Sequence, residues 1–446
     1  VNATLCILLE EVEMEAKISA EWDRLRSVAV HQPELKTFSA SLSPFASPHE
    51  RTFNPSGAIQ EYRQLESILQ HEFQVDVIKL KDTIVDSAER HPEMRNDLMK
   101  AAYKALDSVG NETDIRRVRE ELDRNMDALD ANNFFEILLL SPQIELQDEK
   151  EVRMINLNLS GKNTLSNLLF MRDQQAVTDK GILLSRMSEP QRKREPEVTR
   201  LLWGALDVEV VHEITEPATL EGGDFMPMKD FALFGVGNRT NEPGIDQALK
   251  HAVNFDEVAI VHQPNHPLMP DNLADPMINI HLDTYFNVAS SGVAIGQRLL
   301  LELAEVDIYD KVGPGIYEKE KETTDLFSYI KGWGFDIIEI TTLEQLSQAS
   351  NFLTIKDGTI LAVEVEHNIK DVLSGLQVKA KADPERYNTL LKQAESDYEF
   401  LKNNSDFFPH KRGIYQHGID AYPIVLKSLA GRHGAAHRMT AALERR

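Results

Sequence analysis

Cysteine is almost missing from this chain: Cys6 is the only one in 446 residues. An intramolecular disulfide is therefore excluded, which fits a reducing compartment. Long apolar runs are missing too, since nothing approaches the roughly 20 residues that a spanning helix needs. The opening stretch Leu5-Cys6-Ile7-Leu8-Leu9 is short, and Glu10, Glu11, Glu13 and Glu15 follow it, the wrong flank for a secretory signal. We expect a cytoplasmic protein with no membrane partner. A basic surplus is also lacking, because 48 Lys and Arg face 72 Asp and Glu for a net charge of −24. That balance argues against a nucleic-acid or anionic-membrane surface and attracts cations.

What is present is a globular composition, 42% hydrophobic and 27% charged, long enough to bury a large core. Residues 1–21 read as an N-terminal extension and 22–446 as the main domain. Within it, Ser27-Val28-Ala29-Val30, the amphipathic stretch Ala58 to Phe73, and Val75 to Leu80 give a β-loop-α-β order. Residues 82–150 change character. Met94, Leu98, Ala101, Ala102 and Leu106, then Ile115, Val118 and Leu122, recur at helical spacing, and the segment reads as an all-helical insertion. Beyond Glu151, β-like runs alternate again with helical patterns: residues 168–171, 181–184, 208–211, 231–236, 257–261 and 359–363. Strands punctuated by helices predict an α/β protein with side chains converging at strand ends. No repeat is visible from spacing alone.

Chemistry concentrates at five places. Phe170-Met171-Arg172-Asp173 closes an apolar run with a carboxylate. Leu220-Glu221-Gly222-Gly223-Asp224 projects two acids from a tight turn. Gly235-Val236-Gly237-Asn238-Arg239-Thr240 ends a strand in an arginine. His281-Leu282-Asp283 sets an imidazole and a carboxylate on one face of an extended segment. The fifth is the closing loop, Gly431 to Thr440. Singly, each has an ordinary structural reading as a turn, a surface pair or a solvated strand end. A metal site from His281, Asp283 and a third ligand finds no matching spacing elsewhere, so neither metal nor cofactor is expected. Their joint occurrence in this order is the stronger signal.

Asp173, Glu221-Gly222-Gly223-Asp224, Arg239-Thr240, His281-Leu282-Asp283 and a final His-x-Met-Thr, in that order, resemble arginine deiminase, of the guanidine-modifying superfamily. The likeness runs from Trp22 to the C-terminus, and the insertion sits where arginine deiminases carry theirs. It implies a five-fold pseudosymmetric α/β propeller and hydrolysis of L-arginine to L-citrulline and ammonia, in an assembly that is often oligomeric. By similarity, Asp173 and Asp283 bind the guanidinium, His281 with Glu221 is the acid/base, and Asn167, Arg192, Asp224 and Arg239 contact the remainder of the substrate. This division suits the chemistry. A planar permanent cation wants bidentate carboxylates, and its resonance-stabilised carbon wants a thiolate nucleophile and a proton donor for the leaving ammonia.

The departure lies in the closing loop. Aligning Met439-Thr440 leaves Arg438 where the family has its cysteine, and His433 where it has a substrate-contacting arginine. An arginine is not a nucleophile at neutral pH, and its charge opposes a cationic substrate. Cys6, among acidic neighbours that raise a thiol pKa, is a poor substitute and reads as structural. The expectation is therefore an arginine deiminase scaffold inactive as written. The alternatives are a non-catalytic guanidine-binding protein, or a related arginine hydrolase or amidinotransferase.

Overall fold

The computed structural model describes residues 15–34, 54–149, 152–158, 164–430 and 434–446. Cys6 and His433 therefore lie outside the described residues. The chain is a mixed α/β protein, and five of its sheets repeat one local order. In each, two antiparallel strands are followed through one or more helices by a third strand parallel to the second. The triplets are Gln175–Val177, Ile182–Leu184 and Val210–Glu213; Phe225–Pro227, Phe231–Val236 and Glu257–His262; Phe286–Ser290, Val293–Gly296 and Asp336–Glu339; and Leu353–Lys356, Thr359–Val363 and Asp420–Ile424. The fifth joins both ends of the chain, with Ala441–Arg445 antiparallel to Leu25–Val30 and the latter parallel to Asp76–Lys79. A parallel return needs a crossover, and in this fifth unit the helix Pro55–Ser67 supplies it, started by Asn54, whose side chain accepts from the Ser56 amide.

The strands carry long buried runs, as in Phe231–Val236, buried except at Val236, the pattern of strands covered on both faces. The described part of the expected N-terminal extension belongs to the same packing. Ala16, Ile18, Ala20 and Glu21 are buried, and Ile18 donates its amide to the Thr178 carbonyl. Among the described residues, no helix is long and apolar enough to cross a membrane.

Three expectations need correction. The segment 82–150 is not all-helical. Its helices, which begin at Leu80–Arg90 and continue through Pro92–Ala105, Glu112–Asn125 and Ala131–Leu140, accompany a sheet built from Asp107–Val109, Gln143–Glu149 and Val152–Asn158. Gln143–Glu149 is held by pairing with Val152–Asn158 across a register that composition could not reveal. Residues 168–171 form turns rather than a strand. The amides of Leu168 and Phe170 fold back onto the carbonyls of Leu165 and Asn167, and burial rather than pairing accounts for the apolar run. Finally, His281-Leu282-Asp283 is not extended, because Leu282–Thr284 is a 3-10 turn.

One buried support lies behind this turn. The helix Thr342–Leu346 starts with a capping box between Thr341 and Glu344, and its Gln345 amide group donates to the carbonyls of Ile278 and Thr284, bracketing the His281–Asp283 turn. The Glu344 carboxylate also accepts from the Phe408 amide and from Lys411 Nζ at 3.0 and 2.9 Å. Removing one member of a buried pair strands the other. Lys411→Met is expected to destabilise the fold by about 3–5 kcal/mol near neutral pH in urea unfolding, with much of the loss recovered by adding Glu344→Gln. A loss under about 1 kcal/mol would contradict this assignment.

Candidate active site

The two glycines of Glu221-Gly222-Gly223-Asp224 show why this turn has its sequence. A Cβ at Gly222 would stand 2.1 Å from the Gln175 carbonyl oxygen and 2.2 Å from that of Arg172, and one at Gly223 would stand 3.0 Å from the His281 ring. Only bare backbone lets the 3-10 turn Gly222–Asp224 press into the neighbouring unit while its acids project inward. Glu221 accepts from the Ser188 amide at 3.1 Å and contacts His281 Nε2 at 2.9 Å. Thr240 Oγ1 accepts from the Glu221 amide and donates to Asp224 at 2.6 Å, tying this turn to the one that ends the Phe231–Val236 strand.

Asp173 is the meeting point. It is fully buried, and its Oδ2 accepts from Arg192 Nη1 at 2.8 Å and from Arg438 Nη2 at 3.0 Å. Its Oδ1 lies 3.9 Å from His281 Nδ1. Arg192, delivered by the 3-10 turn Pro190–Arg192, also bonds Glu195 and lies 3.6 Å from Glu221. Arg438, on the short helix Ala436–Met439, is 2% exposed, with its guanidinium over the Phe170 ring at 5.3 Å from the centroid. Burial alone would raise the Asp173 carboxyl. The cations Arg438, His281 and Arg192 outweigh it and hold the group well below the usual carboxylate range. The same contest holds Glu221 down at about 2. For His281, burial opposes the charge, and Asp173 and Asp224 reverse that and raise its pKa. The neighbouring carboxylates thus favour the protonated form of the His281 imidazole.

A second group lies alongside. Asp283 Oδ2 contacts His437 Nδ1 at 2.9 Å, and His437 Nε2 lies 3.8 Å from Glu21, which accepts from Arg172 at 3.0 Å and Arg445 at 3.2 Å. Arg239 pairs with Glu189 at 3.2 Å and lies against the Met277 sulfur. Asn167 is buried with its Oδ1 unpartnered. Sequence reasoning missed Glu21, Glu195 and Asn351. Asn351 is the most instructive, because its Oδ1 accepts from the amides of Ala435 at 2.7 Å and Arg438 at 3.2 Å while its Nδ2 donates to the Asp283 carbonyl. One side chain thus fixes the closing loop against the His281–Asp283 turn. Only Glu195 left a signal, at helical spacing after Arg192.

Among the described residues, Asp173, Glu221 and His281 offer ligand atoms within 4.8 Å of one another, the spacing of a metal site. Arg192 and Arg438 already bring two positive charges to this spot, so an ion would have to displace them.

Asp224 behaves differently from its neighbours. Burial pushes it up to about 7, and the His281 charge and the bonds from Thr240 and the Leu282 amide only partly oppose this. A group that holds its proton more tightly when folded contributes its stability below its unfolded value, and loses it as pH rises through the folded one. Asp224→Asn is expected to gain on the parent by about 2–4 kcal/mol between pH 4 and pH 7 in urea titrations. A difference that does not vary with pH would contradict it.

Comparison with known proteins places the chain in a family. The family model described as arginine deiminase matches residues 49–445. An arginine deiminase from Halobacterium salinarum is 24% identical over 450 residues, covering 82% of this chain and 91% of that protein. One from Mycoplasma capricolum is 23% identical, covering 83% and 94%. Among solved structures, a dimethylarginine dimethylaminohydrolase from Pseudomonas aeruginosa, a cysteine-to-serine mutant complexed with citrulline, aligns at 13% identity and a TM-score of 0.47 over 94% of this chain and 98% of its own. With the family match spanning most of its length, this chain belongs to the arginine deiminase family.

Proposed function

We propose that this chain carries an arginine deiminase site whose guanidinium subsite is filled by its own Arg438, so that it does not hydrolyse L-arginine. The observation that carries this reading is the buried bond from Arg438 Nη2 to Asp173 Oδ2 at 3.0 Å. In this reading Asp173 and Asp283 are the carboxylates that would grip a substrate guanidinium. His281, partnered by Glu221, is the acid/base, and Arg192, Arg239, Asn167 and Asp224 define the remainder of the pocket. The five repeated sheet units support an arrangement as a five-fold pseudosymmetric propeller with these residues at its centre.

The reaction such a site performs needs a sulfur. A thiolate attacks the guanidinium carbon, the C–N bond breaks, and the departing nitrogen takes a proton from the imidazolium and leaves as ammonia. Water, deprotonated by the imidazole, then displaces the sulfur and leaves a ureido group. The raised pKa of His281 suits the first proton transfer. Arg438 supplies neither sulfur nor room. Two guanidiniums about 4 Å apart at an effective dielectric of about 20 repel by roughly 4 kcal/mol, close to a thousandfold in affinity.

The unaltered chain incubated with L-arginine is expected to produce no citrulline above background. Arg438→Cys is expected to produce it at a rate of at least about 0.1 per second, within two decades of the usual enzyme median. Turnover by the unaltered chain, or a folded Arg438→Cys variant silent toward L-arginine, would overturn the proposal.

A further inference from the structure

The helices Ile369–Ala382 and Pro384–Asn404 pack as a pair, inserted between two strands of one sheet unit, Thr359–Val363 and Asp420–Ile424. Asp383 joins them and starts the second, its side chain accepting from the Arg386 amide at 3.2 Å. That cap sets Arg386 and Tyr387 in the first turn, and both side chains reach out to the long connection that follows Glu257–His262. Arg386 Nη2 donates to the Ala274 carbonyl at 2.6 Å, and Tyr387 Oη donates to Asp275 Oδ2 at 2.8 Å. Tyr387 is buried, with the Lys379 ammonium 5.6 Å and the Arg386 guanidinium 5.4 Å from its ring centroid. Burial and the Asp275 carboxylate push its hydroxyl up to about 12, so it keeps its proton through the neutral range.

Asp275 passes this support on locally. Its Oδ1 accepts from the Met277 amide at 3.0 Å and its carbonyl accepts from the Ile278 amide at 3.2 Å, which closes a turn around Pro276. The turn delivers the Met277 sulfur to 3.7 Å from Arg239 Nη2. Ordering a long arginine side chain costs entropy, so what it rests on matters. Glu189, the ion-pair partner of Arg239, has a side chain 38% exposed and is a loose restraint, whereas Met277 is anchored through its own backbone.

We propose that Tyr387 is a positioning residue for Arg239: through Asp275 and the turn at 275–278 it holds this arginine where the carboxylate end of an amino-acid guanidine is received. The role toward substrate rests on the function proposed above, while the tie between Tyr387 and Arg239 does not. The guanidinium end, at Asp173, is built from Arg192 and the closing loop. The helix pair therefore selects guanidines that carry a carboxylate over guanidines that lack one, without touching either.

Two measurements test this. In the unaltered chain labelled with ¹³C-methyl methionine, Tyr387→Phe keeps the ring and removes only the donor. It is expected to shift the Met277 methyl resonance, assigned with Met277→Leu, while that of Met226, in a separate core cluster, stays in place. In the Arg438→Ala background, calorimetry compares L-arginine with agmatine, which has no carboxylate. Adding Tyr387→Phe is expected to weaken L-arginine by about fivefold or more and to leave agmatine within about twofold. Asp275→Ala, which removes the tie from its other side, should give the same split. An unmoved Met277 resonance, equal losses for both guanidines, or no loss for L-arginine would overturn the proposal. Failure of Arg438→Ala to bind either guanidine would instead overturn the reading of Arg438, and the Met277 resonance then decides the tie by itself.

Discussion

The site depends on one carboxylate. Asp173 is fully buried and accepts on a single oxygen from two guanidiniums, Arg192 and Arg438, with the His281 imidazole beside its other oxygen. Desolvating a carboxylate is costly, and only fixed cations at hydrogen-bond distance make its charged form the stable one. Arg192 is such a cation by construction, held from behind by Glu195. Without Arg438, Asp173 would keep one guanidinium and lose the other. In the proposed function, that is the condition in which a guanidinium arriving from solution has a place to bind.

The closing loop is held there by more than charge. Asn351 binds two of its amides, and the Asn351 carbonyl accepts a third from His437. Phe170 underlies the Arg438 guanidinium, and His437 reaches Asp283. Behind them Glu21, Arg172 and Arg445 tie the first described segment to the last strand. Position 438 is thus determined by backbone bonds that any side chain would inherit. In this structure the Arg438 side chain placed by those bonds reaches Asp173.

Much of this was legible in the sequence, and the parts that were not have physical reasons. The strands Phe231–Val236 and Thr359–Val363 announced themselves through unbroken apolar runs between turn residues. The five-unit repeat did not. A hairpin at 305–325 interrupts one unit and the long helices Ile369–Ala382 and Pro384–Asn404 another, so equivalent strands fall at unequal spacing. Asp173, Glu221, His281 and Arg438 were found because their neighbours form short motifs, and they do converge. Glu21 and Asn351 were invisible because each acts through partners hundreds of residues away or through backbone groups, which leave no local pattern. The strand expected at 168–171 failed for the converse reason, since burial makes a turn as apolar as a strand.

The central claim is that Arg438 occupies the place of a substrate guanidinium. Calorimetric titration of L-arginine into the unaltered chain and into Arg438→Ala tests it directly. The account predicts no measurable binding to the first and saturable, 1:1 binding to the second, lost again when Asp173→Asn is added. Equal binding by the unaltered chain and Arg438→Ala would mean that the Arg438 side chain leaves the pocket open, and would contradict it.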